Sequence, residues 1–364
     1  MSNYQNEIMK NINQAQKYVQ DWLDRSNYRS FHNAIASRVV GQPDLALITT
    51  AIWAHLKNIA SGGKYPAPNI ILSAPSGCGK TETFRALRDY FQKEMSFLPV
   101  TQVDMNMITN EGFKGADSIT IVEALMSGSP SLGGVGIIFL DEFDKRIAPC
   151  YASSGENINK GIQSQILTLI EGRIFDTSRG GPHPIDTTYT LFIASGSFDE
   201  VRRQRESAQT APTHKTLGFG AVQETKEHTP SYFDPITKED IIKFGGIHEL
   251  IGRFSIVATY HPIPANSLDP VITRCAKDVA SQFGLTKVQM SAAYKAKLRE
   301  LASSKEGIRA ISSAITQEVL PILARALQAG ADTNGDLSVL LIAPGKGRYN
   351  ISRPSNPLLK NLAS

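Results

Sequence analysis

Short, wholly apolar runs alternate with amphipathic ones along most of this chain. Between positions 69 and 260 the runs "NIILS", "LPVTQVD", "GIIFLD", "YTLFIAS" and "FSIVATY" predict short buried strands. Helical spacing fills the gaps, from about Lys80 to Gln92 and again over "NKGIQSQILTLIEG". Buried strands alternating with helices predict an α/β fold, a parallel sheet covered on both faces. Ligands of such sheets sit beyond the carboxyl ends of the strands. Upstream, residues 1–33 read as a polar helical segment with Ile8, Ile12, Val19 and Leu23 near helical spacing. The run "VVGQPDLALITTAIWAHLKNIA" predicts a helix entered through Gly41 and Pro43. Residues 203–240 break the rhythm with a long polar, turn-rich stretch. After Pro262 and Pro264 the pattern turns helical, with helices expected near 267–282, 287–301 and 306–328 and a strand over "LSVLLIA". The expected organisation is a helical leader (1–33), a large α/β domain (34–262), a smaller, mainly helical α+β domain (263–344) and a mobile tail (345–364). The chain shows no internal repeat.

Composition narrows the class only a little. The 364 residues can form two domains with cores of their own. A net charge of +4 accommodates an anionic ligand without the clustered basic face of a nucleic-acid binder. No apolar run is long enough for a bilayer, and "MSNYQNEIMKNINQ" is too polar for a signal peptide, so a cytoplasmic location is expected. The three cysteines, Cys78, Cys150 and Cys275, give no zinc pair and no disulfide framework. Neither a G-x-S-x-G elbow nor a nucleophilic cysteine context is present, so no intrinsic peptidase centre is expected.

The stretch "LSAPSGCGKTET" carries the chemistry. It follows one of the buried strands and opens a helix, the context a phosphate-binding loop requires. Pro75, Ser76, Gly77, Cys78 and Gly79 would present backbone N–H groups to phosphate oxygens. Lys80 supplies a cation for the β- and γ-phosphates, the Thr81 hydroxyl reaches Mg²⁺, and Glu82 follows in the first helical turn. Ala74 stands where the pattern has its first glycine. If that position needs a left-handed backbone, alanine costs about 1–2 kcal/mol. A second element, "GIIFLDEFDK", is an apolar strand ending in two acids. Asp141 suits water-mediated magnesium binding, and Glu142 suits polarisation of an attacking water, a role worth about 10²–10⁴ in rate. Read alone, those acids are equally an exposed turn after a core strand.

With these motifs in this order the chain resembles the AAA+ ATPases of the Clp/HSP100 type, and among them the ClpX subunits, over about residues 34–343. The resemblance implies ATP and Mg²⁺ as cofactors and a hexameric homo-oligomer. It places Val40 and Gly41 against the adenine. The match of "KFGGIHELIGRFSIVATY" implies that Arg253 is an arginine finger reaching the neighbouring subunit's nucleotide. The match of "EGIRAI" implies a cis sensor contact from Arg309, and that of "LFIASGSF" one from Ser195. Without the family context both arginines read as surface or helix-face residues.

The resemblance also implies a use for the ATP. "NEGFKGAD" is similar to the central pore loop, making Gly112, Phe113, Lys114 and Gly115 a substrate-gripping element. An aromatic ring between glycines offers a large apolar face on a mobile loop. A second pore loop would fall at about 146–160. "SRGGPHPID" keeps Arg179 and His183 but lacks the basic triplet of the family's pore-entrance loop. Leu217, Gly218 and Phe219 resemble the tripeptide that docks on a ClpP-type peptidase, an apolar motif within a polar stretch. The family's zinc-binding domain with its four cysteines has no counterpart in residues 1–33. The implied function is an ATP-driven unfoldase and translocase of protein substrates, delivering them to a peptidase. The alternative is a remodelling ATPase that disassembles one complex without a peptidase. A static nucleotide-fixed ring and a nucleic-acid translocase are further, weaker readings, and no membrane partner is expected.

Overall fold

Each of the five apolar runs becomes a strand, and together they make one parallel sheet. In the computed structural model, residues 3–108, 118–126, 132–177, 183–210, 232–302, 307–331 and 337–351 are described. They fall into two compact units. One comprises residues 1–39, 43–75 and 80–261, the other residues 40–42, 76–79 and 262–364.

The first unit begins with three helices, α1 (Asn3–Arg25), α2 (Tyr28–Ala36) and α3 (Leu45–Ala60). There follow β1 (Ile70–Ser73), α4 (Lys80–Glu94), β2 (Val100–Asp104), α5 (Ser118–Glu123), β3 (Gly136–Asp141) and α6 (Ile158–Ile170). A hairpin, β4 (Ile174–Thr177) with β5 (His183–Asp186), leads to β6 (Thr190–Gly196) and α7 (Asp199–Thr210). The unit closes with α8 (Lys238–Phe244), α9 (His248–Gly252) and β7 (Ile256–Thr259). The sheet order is β2-β3-β6-β1-β7, all parallel. β1 and β6 are buried throughout and β3 up to its last residue, which explains why their sequences carry no polar alternation. Because β6 lies between β1 and β3, the carboxyl ends of three strands, at Ser73, Asp141 and Ser195, come side by side.

The amino-terminal segment folds onto this unit, with α1 packing against α3. Its buried positions are Ile8, Ile12, Ala15, Val19 and Trp22, a 4-3-4-3 spacing that forms one helix stripe. Leu23, expected on that stripe, is only half-buried, and Trp22 takes its place in a cluster with Phe31, Trp53 and Phe91. Burial free energy grows with the apolar area removed from water, and an indole offers more of it than a leucine side chain, so the indole outweighs the leucine one position on.

The second unit carries α10 (Leu268–Gln282), β8 (Lys287–Met290), α11 (Ala292–Ala302), α12 (Ile308–Gln328), β9 (Leu337–Ala343) and β10 (Lys346–Ile351). Its sheet runs β10-β9-β8, with β9 antiparallel to β10 and parallel to β8. Its core is built chiefly from α10, α12 and the strands, with Ile272, Ile311, Ile315, Val319 and Leu337 at its centre.

Three further expectations are corrected. The break over 203–240 is narrower, because α7 continues to Thr210 and α8 starts at Lys238. The Arg, Gln and Glu residues that made this stretch look loop-like are good helix formers. The helix expected from 287 opens instead with β8, where Val288 is buried between exposed Lys287 and Gln289. Lys346–Ile351, expected in a mobile tail, forms β10 through a turn at Gly345 (φ 70°) whose N–H donates to the Glu318 carboxylate at 2.8 Å.

Candidate nucleotide site

At the carboxyl edge of the large sheet, sequence-distant polar groups meet. Asp141 ends β3, and its Oδ1 accepts from Ser195 Oγ at 2.9 Å and from the Glu142 N–H at 3.0 Å. Its Oδ2 accepts from Gln102 Nε2 of β2, the neighbouring strand. Glu142 is one of two non-glycine residues with positive φ among the described residues (φ 55°, ψ 32°). A left-handed backbone costs a non-glycine residue about 1–2 kcal/mol, and here it turns two consecutive acids onto different partners. Glu142 Oε2 accepts from Asn106 Nδ2 at 2.6 Å.

The phosphate-loop residues of this unit follow β1, which is separated from the strand of those acids by β6 alone. Ser73, last in β1, pairs with Gly196 of β6, and the Ala74 N–H donates to the Gly196 carbonyl at 3.0 Å. Ala74 is buried without a positive φ, so the left-handed penalty does not arise. Pro75 is buried. Lys80 opens α4 with its ammonium folded back onto the carbonyls of Ala74 and Pro75. The Thr81 side chain is exposed. Glu82 accepts from Arg38 Nε at 2.8 Å, and Arg38 Nη1 reaches Asp89 at 2.7 Å. Three residues past Asp141, buried Asp144 accepts from Phe198 N at 3.0 Å and Ser197 Oγ at 3.1 Å. Burial raises its carboxyl above the ordinary value despite those donors and the nearby lysines. Gly196 has to be glycine, since a Cβ there would overlap the Asp144 carboxylate.

Within the second unit the remaining loop residues keep company with the adenine-side segment. Gln42 Nε2 donates to the Cys78 carbonyl at 3.0 Å. Gly41, Gly77 and Gly79 hold φ of 74°, 75° and 103°, which only glycine adopts cheaply. Cys78 is buried, Ser76 half-buried, and Val40 packs on this unit's core. A Cβ on Gly307 would come within 3.2 Å of the Gly77 backbone, which brings the start of α12 to the loop. Arg309 is exposed in the first turn of that helix.

Arg253 is not among the residues gathered round Asp141. It follows α9, its side chain is 54% exposed, and Nη2 pairs with Glu171 at 2.7 Å. Gly112, Phe113, Lys114, Gly115, Arg179, Leu217, Gly218 and Phe219 lie outside the described residues. His183 opens β5. In the expected second pore loop, Tyr151 bridges to Asn157 and stands 68% exposed.

The donor set suits a magnesium nucleotide. In the first unit Lys80 opens a helix and supplies a cation for an anion, and in the second unit two positive-φ glycines, with open space where a Gly79 Cβ would be, leave room for phosphate oxygens. Mg²⁺ commonly uses one or two protein oxygens plus phosphate and water, which Thr81 and Asp141 can supply. Among the described residues no cluster of three His, Cys, Asp or Glu side chains competes as a dedicated metal cage. Sequence reasoning missed Gln102, Asn106, Asp144 and Gln42. The first two face the acids only because β2 neighbours β3, a pairing that sequence spacing leaves open. Gln42, adjacent to Gly41, was there to be noticed.

A sequence-family profile described as "AAA domain (Cdc48 subfamily)" matches residues 65–257. The chain is similar to proteins named "ATP-dependent Clp protease ATP-binding subunit ClpX". That of Porphyromonas gingivalis is 27% identical over 267 residues, 68% of this chain and 63% of the relative. That of Bacteroides thetaiotaomicron is 28% identical over 273 residues, 67% and 62%. That of Bacteroides fragilis is 27% identical over 279 residues, 69% and 63%. The chain thus spans less than two thirds of the length of these relatives. Among the described residues no helix is long and apolar enough to cross a membrane.

Proposed function

This chain belongs to the AAA domain family (Cdc48 subfamily), and from that premise we propose that it is an ATPase that works as a ring to unfold and translocate polypeptides, delivering them to a ClpP-type peptidase. The observation that carries this reading is the meeting of Asp141, Glu142 and Ser195 at the sheet edge, with Lys80 opening the helix after the neighbouring strand.

In this reading ATP and Mg²⁺ supply the phosphoanhydride and neutralise its charge. Lys80 exchanges its carbonyl partners for phosphate oxygens. Asp141 and Thr81 hold the metal, the former through water, and Ser195 fixes the Asp141 rotamer. Glu142 takes the proton of the attacking water, a task for which its left-handed turn and Asn106 orient it. Val40 and Gly41 line the base, and Arg309 contacts the nucleotide from the start of α12. An arginine acting on a neighbouring copy has to stand outside its own chain's site, and exposed Arg253 does so. Such fingers are worth about 10³–10⁵ in rate in other phosphoryl-transfer systems. Phe113, between Gly112 and Gly115 with Lys114, grips the threaded substrate, and Leu217, Gly218 and Phe219 dock the peptidase. The test is ATP turnover and unfolding of a stable tagged protein by the wild type and Glu142→Gln. Turnover in the wild type no higher than in the variant overturns the reading. Unchanged degradation after deletion of 217–219 overturns only the peptidase assignment.

A further inference from the structure

The small sheet of the second unit ends on a groove that the nucleotide reading leaves unused. β8 stands last in the order β10-β9-β8, so one of its edges has no strand beside it among the described residues. Along it lies a cavity of about 440 Å³, within the range of clefts that hold ligands. Residues 285–290, which are β8 and the two positions before it, all line this cavity. Successive side chains of a strand point to opposite faces. A groove that meets every residue in turn therefore follows the strand's edge and its peptide groups. Six such residues span about 20 Å. The other wall is a stripe of α10, where Ala276 and Ala280 are buried and carry only a methyl group each. Three cations from three elements stand round the groove, Lys277 of α10, Lys287 of β8 and Lys295 of α11. Among the described residues no aspartate, glutamate or aromatic ring lines it.

We propose that the β8 edge is a docking site for an extended, acidic segment of a partner protein, which joins the sheet as an added strand. An unpaired edge offers a row of N–H and C=O groups, and these give an incoming strand its main-chain hydrogen bonds. Small apolar side chains of that strand fit against Ala276 and Ala280, and its carboxylates meet the lysines. Charge decides the occupant. Lysines along an edge repel a second copy of the same edge, so the complement is a different chain of opposite sign. A nucleic acid strand fits less well, because the groove has no aromatic ring on which a base could stack. None of these residues belongs to the nucleotide site, so the docking stands or falls apart from that reading.

The test uses the full chain and a fluorescein-labelled short peptide that alternates glutamate and valine. Its binding is followed by anisotropy at about 0.15 M salt. Two control peptides replace glutamate by lysine or carry N-methyl groups on the amides. Lys277 and Lys287 are exposed, so Lys277→Glu with Lys287→Glu should keep the thermal midpoint. This double variant is expected to bind the acidic peptide at least about tenfold more weakly and to take up the lysine peptide instead. N-methylation is expected to weaken binding to the wild type at least about tenfold, since it removes ladder hydrogen bonds and keeps the charge. No saturable binding of the acidic peptide, or binding that survives the double reversal, overturns the site. Equal binding of the N-methylated peptide leaves charge attraction alone and overturns strand addition. An oligothymidine that displaces the peptide and binds more tightly reassigns the groove to nucleic acid. A fall in solution mass by light scattering in the double variant makes the edge a contact between copies and overturns an outside partner.

Discussion

His55 should make the large unit acid-labile in a defined window. It is buried in α3, where Nε2 donates to the Tyr189 carbonyl at 3.2 Å. Its Nδ1 is buried with no hydrogen-bond partner in the structure. The ring is therefore neutral, and a second proton would place an unpaired N–H and a charge in the core. Burial lowers its pKa from 6.5 to about 4, against the opposing pull of the Tyr189 carbonyl. The unfolded chain consequently binds one more proton than the folded one between those values. Stability from this group is complete above pH 6.5 and is lost as pH falls toward 4, by about 1.4 kcal/mol per pH unit. The loss is on the order of 2–3 kcal/mol by pH 4.5, a large share of a domain's usual stability. His55→Gln keeps a donor near the Nε2 position and cannot titrate. Urea unfolding of both proteins can be followed by fluorescence, because Trp22 and Trp53, the chain's two tryptophans, pack 5.3 Å apart on this unit. Relative to the variant, the wild type should lose on the order of 2–3 kcal/mol between pH 7 and pH 4.5. A difference between the two that stays flat across that range refutes the reasoning.

Further predictions concern the site. Asn106→Ala removes the side chain that orients Glu142 and should lower kcat for ATP about tenfold with KM little changed, as expected for a hydrogen bond to a charged group worth about 1.5 kcal/mol; an unaltered or raised kcat would contradict an orienting role. Mixing Arg253→Ala chains with Glu142→Gln chains should restore turnover at hybrid interfaces, and no recovery in steady-state assays points to a structural Arg253. Phe113→Ala should hydrolyse ATP at near the wild-type basal rate yet fail to unfold a stable substrate, and retained unfolding argues against gripping.

Local pattern determined much of this protein. Apolar runs such as "GIIFLD" become strands within a residue or so of where they were read, because burial on both faces leaves no room for polar alternation. Lys80, Asp141, Glu142 and Ser195 are visible because their chemistry needs particular residues at strand ends and helix starts, and those ends are written in the chain. Lys346–Ile351 was misread because its strand depends on pairing with β9 and its sequence is polar. Strand order was decided only in three dimensions. Spacing along the chain does not say that β6 lies between β1 and β3, or that β2 brings Gln102 and Asn106 to the two acids. The same holds for Arg202 and Ser73, 129 residues apart, whose bond exists only because α7 folds back over the end of β1. A sequence records periodicity and local chemistry, but which buried groups satisfy one another follows from packing that many distant residues set together.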